Sequence, residues 1–420
     1  MISMLTREQK ATDYEALFRV LTECYPVAGI LKRRGIDMDA LKEKHRSPVI
    51  DSKDDLAFCR AVQDVFSEFK EPAAYPDGHQ RYLSHLLLFE PARYYSYRKM
   101  YKAFMDGAWE NADREAFRPW IEALEHENSK KFYDQFEPET VQYEFWYKGQ
   151  APADSLRDEK KDVVFGDRSV PNVYCRVLPG NNLYIYVDSL DMMRIAGDRE
   201  IIFEFYRQHP ECDNLILDFR RNGGGATDYW SFLLVGPTLE EDLQYETCMG
   251  FPVNELNREY FEASFNHGKA IGDPDGEIRP ISELPDMPEV HREDLEQLTH
   301  FWMEKNVVKA DKEHPLRAGK IWALVSDLVY SSSEGFAAFC KSTGWATLVG
   351  SRTGGDGIGE TPLHAVLPES GLVMRYSGEY GFNADGTSNA ECGTQPDIEC
   401  SADLALAVCL NRIYEDGKEK

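Results

Sequence analysis

A hydroxyl that attacks a carbonyl needs a group to take its proton, donors for the oxyanion that forms, and a backbone that holds it out to substrate. Two stretches of this chain have the residue types for the last two. Leu215-Ile-Leu-Asp-Phe-Arg-Arg-Asn-Gly-Gly-Gly225 is an apolar run that stops abruptly in three glycines. Glycine admits positive φ and lets main-chain N–H groups approach a ligand, as an oxyanion hole requires, although a tight turn or a weak phosphate loop uses the same residues. The second stretch, residues 325–341, reads VSDLVYSSSEGFAAFCK, a strand that meets a helix through a serine cluster. A serine at such a junction can present its oxygen in a cleft, where the next N–H and the helix dipole stabilise negative charge. The spacing Ser331-x-x-Glu334 is also that of a capping box, in which both side chains satisfy the first N–H groups of a helix. At this point capping and catalysis are both open.

Three further motifs follow in order: Gly350-Ser-Arg-Thr-Gly-Gly-Asp-Gly357, Leu367-Pro-Glu-Ser-Gly371 and Gly393-Thr-Gln-Pro-Asp-Ile398. With the triple glycine and the serine cluster, this ordered set resembles peptidase family S41, which includes the C-terminal processing (tail-specific) proteases and the tricorn core protease. The resemblance runs from about Leu183 to Ile413. It implies a ClpP/crotonase-like α/β fold and a serine peptidase that cleaves through an acyl-enzyme intermediate, with no metal or other cofactor. It implies Ser331 as nucleophile, Gly223 or Gly224 as one oxyanion donor and the Ser332 N–H as another.

In the lysine-using branch of that family a lysine sits in a segment like Thr353–Gly357; here the position is Asp356, and a carboxylate cannot replace a neutral amine as base. The tricorn-like branch takes a histidine from an N-terminal segment and orients it with a glutamate near the last motif, and the resemblance then implies His85, in Leu83-Ser-His-Leu, as base. His79, in Asp77-Gly-His, is the alternative. Glu391, just ahead of Cys392-Gly393, is the implied orienting acid, with Asp356 and Glu360 as competitors. A non-catalytic peptide-binding or scaffold protein on the same fold is the rival reading, and a crotonase-like thioester enzyme a third.

The elements that must hold these residues are legible as texture. From Asp13 to about Phe69 apolar residues recur every three or four positions, which predicts amphipathic helices, and an aromatic-rich helical stretch reaches about Phe136. Residues 1–165 are therefore expected to form a mainly helical N-terminal domain. Beyond about Gly166, short apolar strands at Leu183–Val187, Asn214–Asp218, Ile321–Val325 and Thr347–Val349 alternate with helical patterns at Asp191–Arg207, Glu334–Thr343 and Asp403–Ile413. That alternation predicts an α/β domain, residues 166–420, on a mostly parallel sheet covered on both faces. An acidic, proline-rich stretch at about 236–319 reads as an insertion over the sheet edge or a cleft.

Composition narrows the partners. With 73 Asp plus Glu against 47 Lys plus Arg, the formal charge of −26 repels phosphate backbones and anionic membranes. A peptide or protein substrate is expected rather than nucleic acid or lipid. There is no run of about 18 apolar residues, and the N-terminal residues are polar where an export signal has its apolar core, so a cytoplasmic location is expected. Nine cysteines without C-x-x-C pairs imply neither a disulfide framework nor a cysteine zinc site. Oligomeric state is not legible.

Overall fold

A computed structural model describes residues 5–74, 80–105, 117–136, 171–271 and 276–418. Its centre is a six-stranded sheet whose strands lie in the spatial order Ile398–Glu399, Thr347–Gly350, Arg317–Val325, Glu211–Asp218, Asn182–Val187 and Val173–Leu178. The first five run parallel and the last pairs antiparallel with its neighbour. All four strands expected from the sequence are present, each extended at one or both ends.

Side-chain alternation sets what covers each face. Leu215, Leu217, Ala323 and Val325 point into one core with Tyr229, Phe336 and Phe339, carried by the helices Thr227–Trp230 and Ser332–Thr343. Ile216, Trp322 and Leu324 point the other way, against Ala405 and Cys409 of the helix Ala405–Lys418. Burial on both faces is why these strands read as unbroken apolar runs, and it puts every strand-to-helix turn of this sheet at the strands' C-terminal edge, where doubly covered parallel sheets bind ligands.

The N-terminal helices Arg7–Glu23, Ala28–Arg33, Met38–Ile50 and Asp55–Phe66 form as the apolar spacing requires. Thr6 and Gln9 make a capping box at the first, and Asp37 and Asp54 cap the third and fourth. The following region is only partly helical. Lys70–Ala74 pairs with Gln80–Tyr82, and Leu87–Leu88 joins Val373–Tyr376 and Leu363–Val366 in a three-stranded sheet. The run Leu86–Phe89 was too short for its periodicity to separate strand from helix.

The stretch at 236–319 is more regular than its composition suggests. Leu243–Phe251 and His300–Val308 pair along nine residues each, with Ile278–Pro280 on one side and Tyr380–Phe382 on the other. Its aromatic residues Phe251, Phe261, Phe301 and Trp302 share one core with Tyr14, Phe18, Phe58 and Phe66 of the N-terminal helices and with Leu363, Met374 and Tyr376. Buried Asp13 fastens that core to the Leu367–Gly371 motif by accepting the N–H groups of Glu369 (2.8 Å) and Ser370 (2.9 Å). The expected boundary near residue 166 falls among residues 137–170, outside the described chain.

All nine cysteines are free and six of them are buried, as small apolar residues are. Among the described residues no helix is long and apolar enough to cross a membrane.

Leu217 lies in mid-sheet with no exposure. Leu217→Ala is expected to cost about 2–5 kcal/mol through lost burial and the cavity left behind, read as a lower urea midpoint.

Candidate active site

Strand Arg317–Val325 ends in a tight turn, and Ser331 follows at φ 56°, ψ −133° before the helix Ser332–Thr343 begins. A positive φ is costly for a residue with a Cβ, on the order of 1–3 kcal/mol, and is kept where the surroundings over-determine it. The surroundings here are specific. The Ser331 N–H donates to the Gly355 carbonyl (3.2 Å) and the Gly354 N–H to the Val329 carbonyl (2.7 Å), so the 350–357 motif clasps the turn from outside. Ser326 Oγ donates to the Arg220 carbonyl (2.5 Å) and holds it from the strand side.

The capping reading fails at both ends. The Ser331 side chain makes no capping bond. Glu334 is buried and turned inward, where its Oε1 accepts from Asn389 Nδ2 (2.7 Å) and Thr394 Oγ1 (2.6 Å). Asn389 in turn accepts the Gly357 N–H through Oδ1 (2.8 Å). Glu334 thus ties the helix start to the last motif, and Asn389 ties that motif to the 350–357 loop. Burial raises the Glu334 carboxyl to about 7 against the bonds that favour its charged form.

The triple glycine meets the serine. Gly224 has φ +108°, and a Cβ there would lie 2.7 Å from the Tyr330 carbonyl oxygen and 2.8 Å from the Ser331 Cβ, so only glycine fits the approach. The organiser is the preceding residue, buried Asn222. Its Oδ1 accepts from the Gly224 N–H (3.0 Å) and from Ser333 Oγ (2.6 Å), while its Nδ2 donates to the Val187 carbonyl (3.0 Å). One side chain thus joins two parallel strand ends to the helix Ser332–Thr343. The Gly224 N–H is engaged by it, so of the two glycine donors expected, Gly223 is the one not committed to Asn222.

His85 comes from a strained turn as well, with Ser84 at φ 48° and His85 at φ 56°. Its imidazole packs on Tyr330, ring centroids 4.8 Å apart, one residue from Ser331. Its Nε2 lies 3.4 Å from Oδ2 of Asp356, both side chains being about nine-tenths buried. Tyr330 Oη donates to the same Oδ2 (2.5 Å), and Ser84 Oγ donates to Oδ1 (3.2 Å). Burial lowers the His85 imidazole to about 4, outweighing the Asp356 carboxylate beside it, and Arg375 pushes the same way.

Gly224 is therefore brought against Ser331 and Ser332, and His85 against the neighbouring Tyr330, while Glu391 lies elsewhere. The turn Asn389–Cys392 aims its carboxylate at Arg33, whose guanidinium it meets at 2.5 Å beside Asp294 and Glu293. The carboxylate at His85 is Asp356, from the loop whose sequence resembles the lysine-bearing segment. Glu360 turns away toward Glu304 and Glu379, where burial and like charge raise it well above the ordinary range. His79 lies outside the described residues. His364 is buried in an aromatic nest of Phe89, Tyr97 and Tyr101. Asn222 and Tyr330 were not singled out in the sequence; each stands directly beside a motif residue, which is the signal that could have found them.

The sequence profile of peptidase family S41 matches residues 183–400, a little over half of the chain. The chain belongs to peptidase family S41. Among solved structures it is similar to a candidate peptidase from Parabacteroides merdae, at 15% identity over 93% of this chain and 90% of the other with a TM-score of 0.50. It is likewise similar to mature CPAF complexed with lactacystin, at 11% identity over 97% of each chain with a TM-score of 0.50. At these identities the likeness speaks for the fold, and it extends through the N-terminal helices as well as the sheet. A comparison with curated protein sequences finds no match.

Glu334 gives the site a titratable support. Because its carboxyl holds a proton up to about 7 rather than the ordinary 4.5, the folded chain binds more protons than the unfolded one in that window, and stability falls as pH rises through it. Glu334→Gln keeps an oxygen for Asn389 and Thr394 and removes the charge. The drop in melting temperature between pH 5 and pH 8 is expected to be smaller in the variant than in the wild type.

Proposed function

We propose that this protein hydrolyses peptide bonds by acyl transfer, with Ser331 as nucleophile, His85 as general base and Asp356 as the acid that orients and stabilises the imidazolium. The observation that carries the reading is the convergence at position 331. A serine in a strained strand-to-helix turn, its hydroxyl unused for capping, lies against Gly224, next to the tyrosine on which a neutral imidazole and its carboxylate are packed. A plain helix start needs none of this. The family places the chain among peptidases, and the geometry supports that chemistry at this position.

In the first step the Ser331 proton passes to His85 as Oγ attacks the scissile carbonyl, and the tetrahedral oxyanion is held by the N–H groups of Ser332 and Gly223, each worth about 3–4 kcal/mol of barrier. His85 returns the proton to the departing amine, leaving an acyl ester on Ser331. Water then attacks the ester, again losing its proton to His85, and the acid product leaves as Ser331 is restored. Asp356 replaces Glu391 in this scheme because it alone of the two faces the imidazole, while Glu391 is spent on Arg33. The substrate class is a peptide or protein chain.

Ser331→Ala is expected to lower kcat/KM for a peptide substrate by on the order of 10³-fold or more and to abolish labelling by a fluorophosphonate, with the fold retained. Wild-type protein that no fluorophosphonate modifies at Ser331 would instead point to a binding protein on a peptidase fold. A base that is neutral above about 4 loses activity only when pH falls through that value, so the acid limb of kcat/KM is expected well below the 6.5 of an ordinary histidine. An acid limb near 6.5 would take His85 out of the base role.

A further inference from the structure

The nucleophile, the base and the acid come from three segments that are distant in sequence, and one side chain touches the last two while its main chain carries the first. Tyr330 is almost fully buried. Its hydroxyl donates to Asp356 Oδ2 (2.5 Å) and accepts the main-chain N–H of His85 (3.1 Å). Its ring contacts the imidazole at 4.8 Å between centroids, and the Arg81 guanidinium lies 4.7 Å from the same ring. Arg81 itself donates to the Asp327 carbonyl (3.0 Å), inside the turn that leads to Ser331. The tyrosine is therefore fixed from several sides before it fixes anything else.

The shared oxygen matters most. Asp356 Oδ2 receives the Tyr330 hydroxyl at 2.5 Å and lies 3.4 Å from His85 Nε2, so both groups draw on the charge of one oxygen and the tyrosine holds the shorter contact. A phenol that draws on the carboxylate's charge leaves less of it for the imidazole. We propose that Tyr330 is a positioning residue that sets how strongly Asp356 acts on His85, holding the base in place while moderating the acid behind it. The inference rests on the reading of His85 as the base. It goes beyond that reading in assigning the strength of the base to a third side chain.

The groups that face the imidazole are few enough to separate. Asp356 favours the charged ring, Arg375 and Arg81 oppose it, and burial opposes it most. Tyr330→Phe leaves the ring stack, the arginines and the burial in place and removes the hydroxyl with its two bonds, to Asp356 and to the His85 main-chain N–H. The measurement is the titration of the His85 imidazole by NMR in free protein, wild type against Tyr330→Phe. The expected result is an upward shift of at least half a pH unit in the variant, because the whole carboxylate charge falls to the histidine, together with an acid limb of kcat/KM displaced the same way and KM unchanged. In an Asp356→Asn background the same substitution is expected to produce no shift, since the hydroxyl acts through that carboxylate; a merely structural tyrosine would not show this dependence. Replacing Tyr330 with 3-fluorotyrosine, a stronger donor of nearly the same shape, is expected to shift the titration downward, and it serves in place of the phenylalanine variant if that one unfolds.

An unchanged His85 titration in both variants, or an equal shift in the Asp356→Asn background, overturns the proposal. The titration needs no substrate, so it stands apart from the failure of the catalytic reading, which is seen instead as wild-type protein unmodified by a fluorophosphonate.

Discussion

The main-chain bond from the Ser331 N–H to the Gly355 carbonyl is the constraint on which the site depends. Residue 331 sits at a positive φ that its own side chain disfavours, so something outside the turn must hold it there, and the 350–357 loop does so from the neighbouring strand. That loop in turn is held by Asn389 at Gly357, and Asn389 by Glu334 from the helix that Ser331 opens. The circuit closes on itself. Strain at one residue is balanced by a ring of polar contacts, all at the C-terminal edge of a sheet whose two buried faces make it rigid.

The electrostatics follow from the same burial. Desolvation raises Glu334 and lowers His85, each toward its neutral form. In the proposed mechanism this has a clear use, because a neutral imidazole can accept a proton at once and the nearby carboxylate becomes valuable only when positive charge appears. The main-chain N–H groups of Gly223 and Ser332, the proposed oxyanion donors, do not titrate in this range. Around the histidine the carboxylate of Asp356 is opposed by Arg375 and Arg81.

Much of this was legible in the residues, unevenly and for physical reasons. The strands at 214–218 and 321–325 could be read because burial on both faces leaves an unbroken apolar run, and the serine cluster and triple glycine because they terminate such runs. Whether Ser331 capped its helix or stood free could not be read, since the capping-box spacing and the turn found here use the same residue types; the outcome depended on Asn389 and Thr394 drawing Glu334 inward from 55 and 60 positions away. Glu391 was preferred over Asp356 on likeness of position, and spacing along the chain could not reveal that Arg33, from the second helix, would meet it. The long pair of strands at 243–251 and 300–308 was obscured because neither keeps a strict two-residue alternation of buried and exposed positions along its length.

His85 and Tyr330 are 245 positions apart, and the N-terminal helices that precede His85 share their core with the strands at 243–251 and 300–308. A chain emerging from the ribosome therefore holds its imidazole long before it holds its serine, and it cannot seat that imidazole until the later strands have arrived to complete the core beneath it. The two halves of the constellation are thus joined late, when both contributors to the shared core are in place.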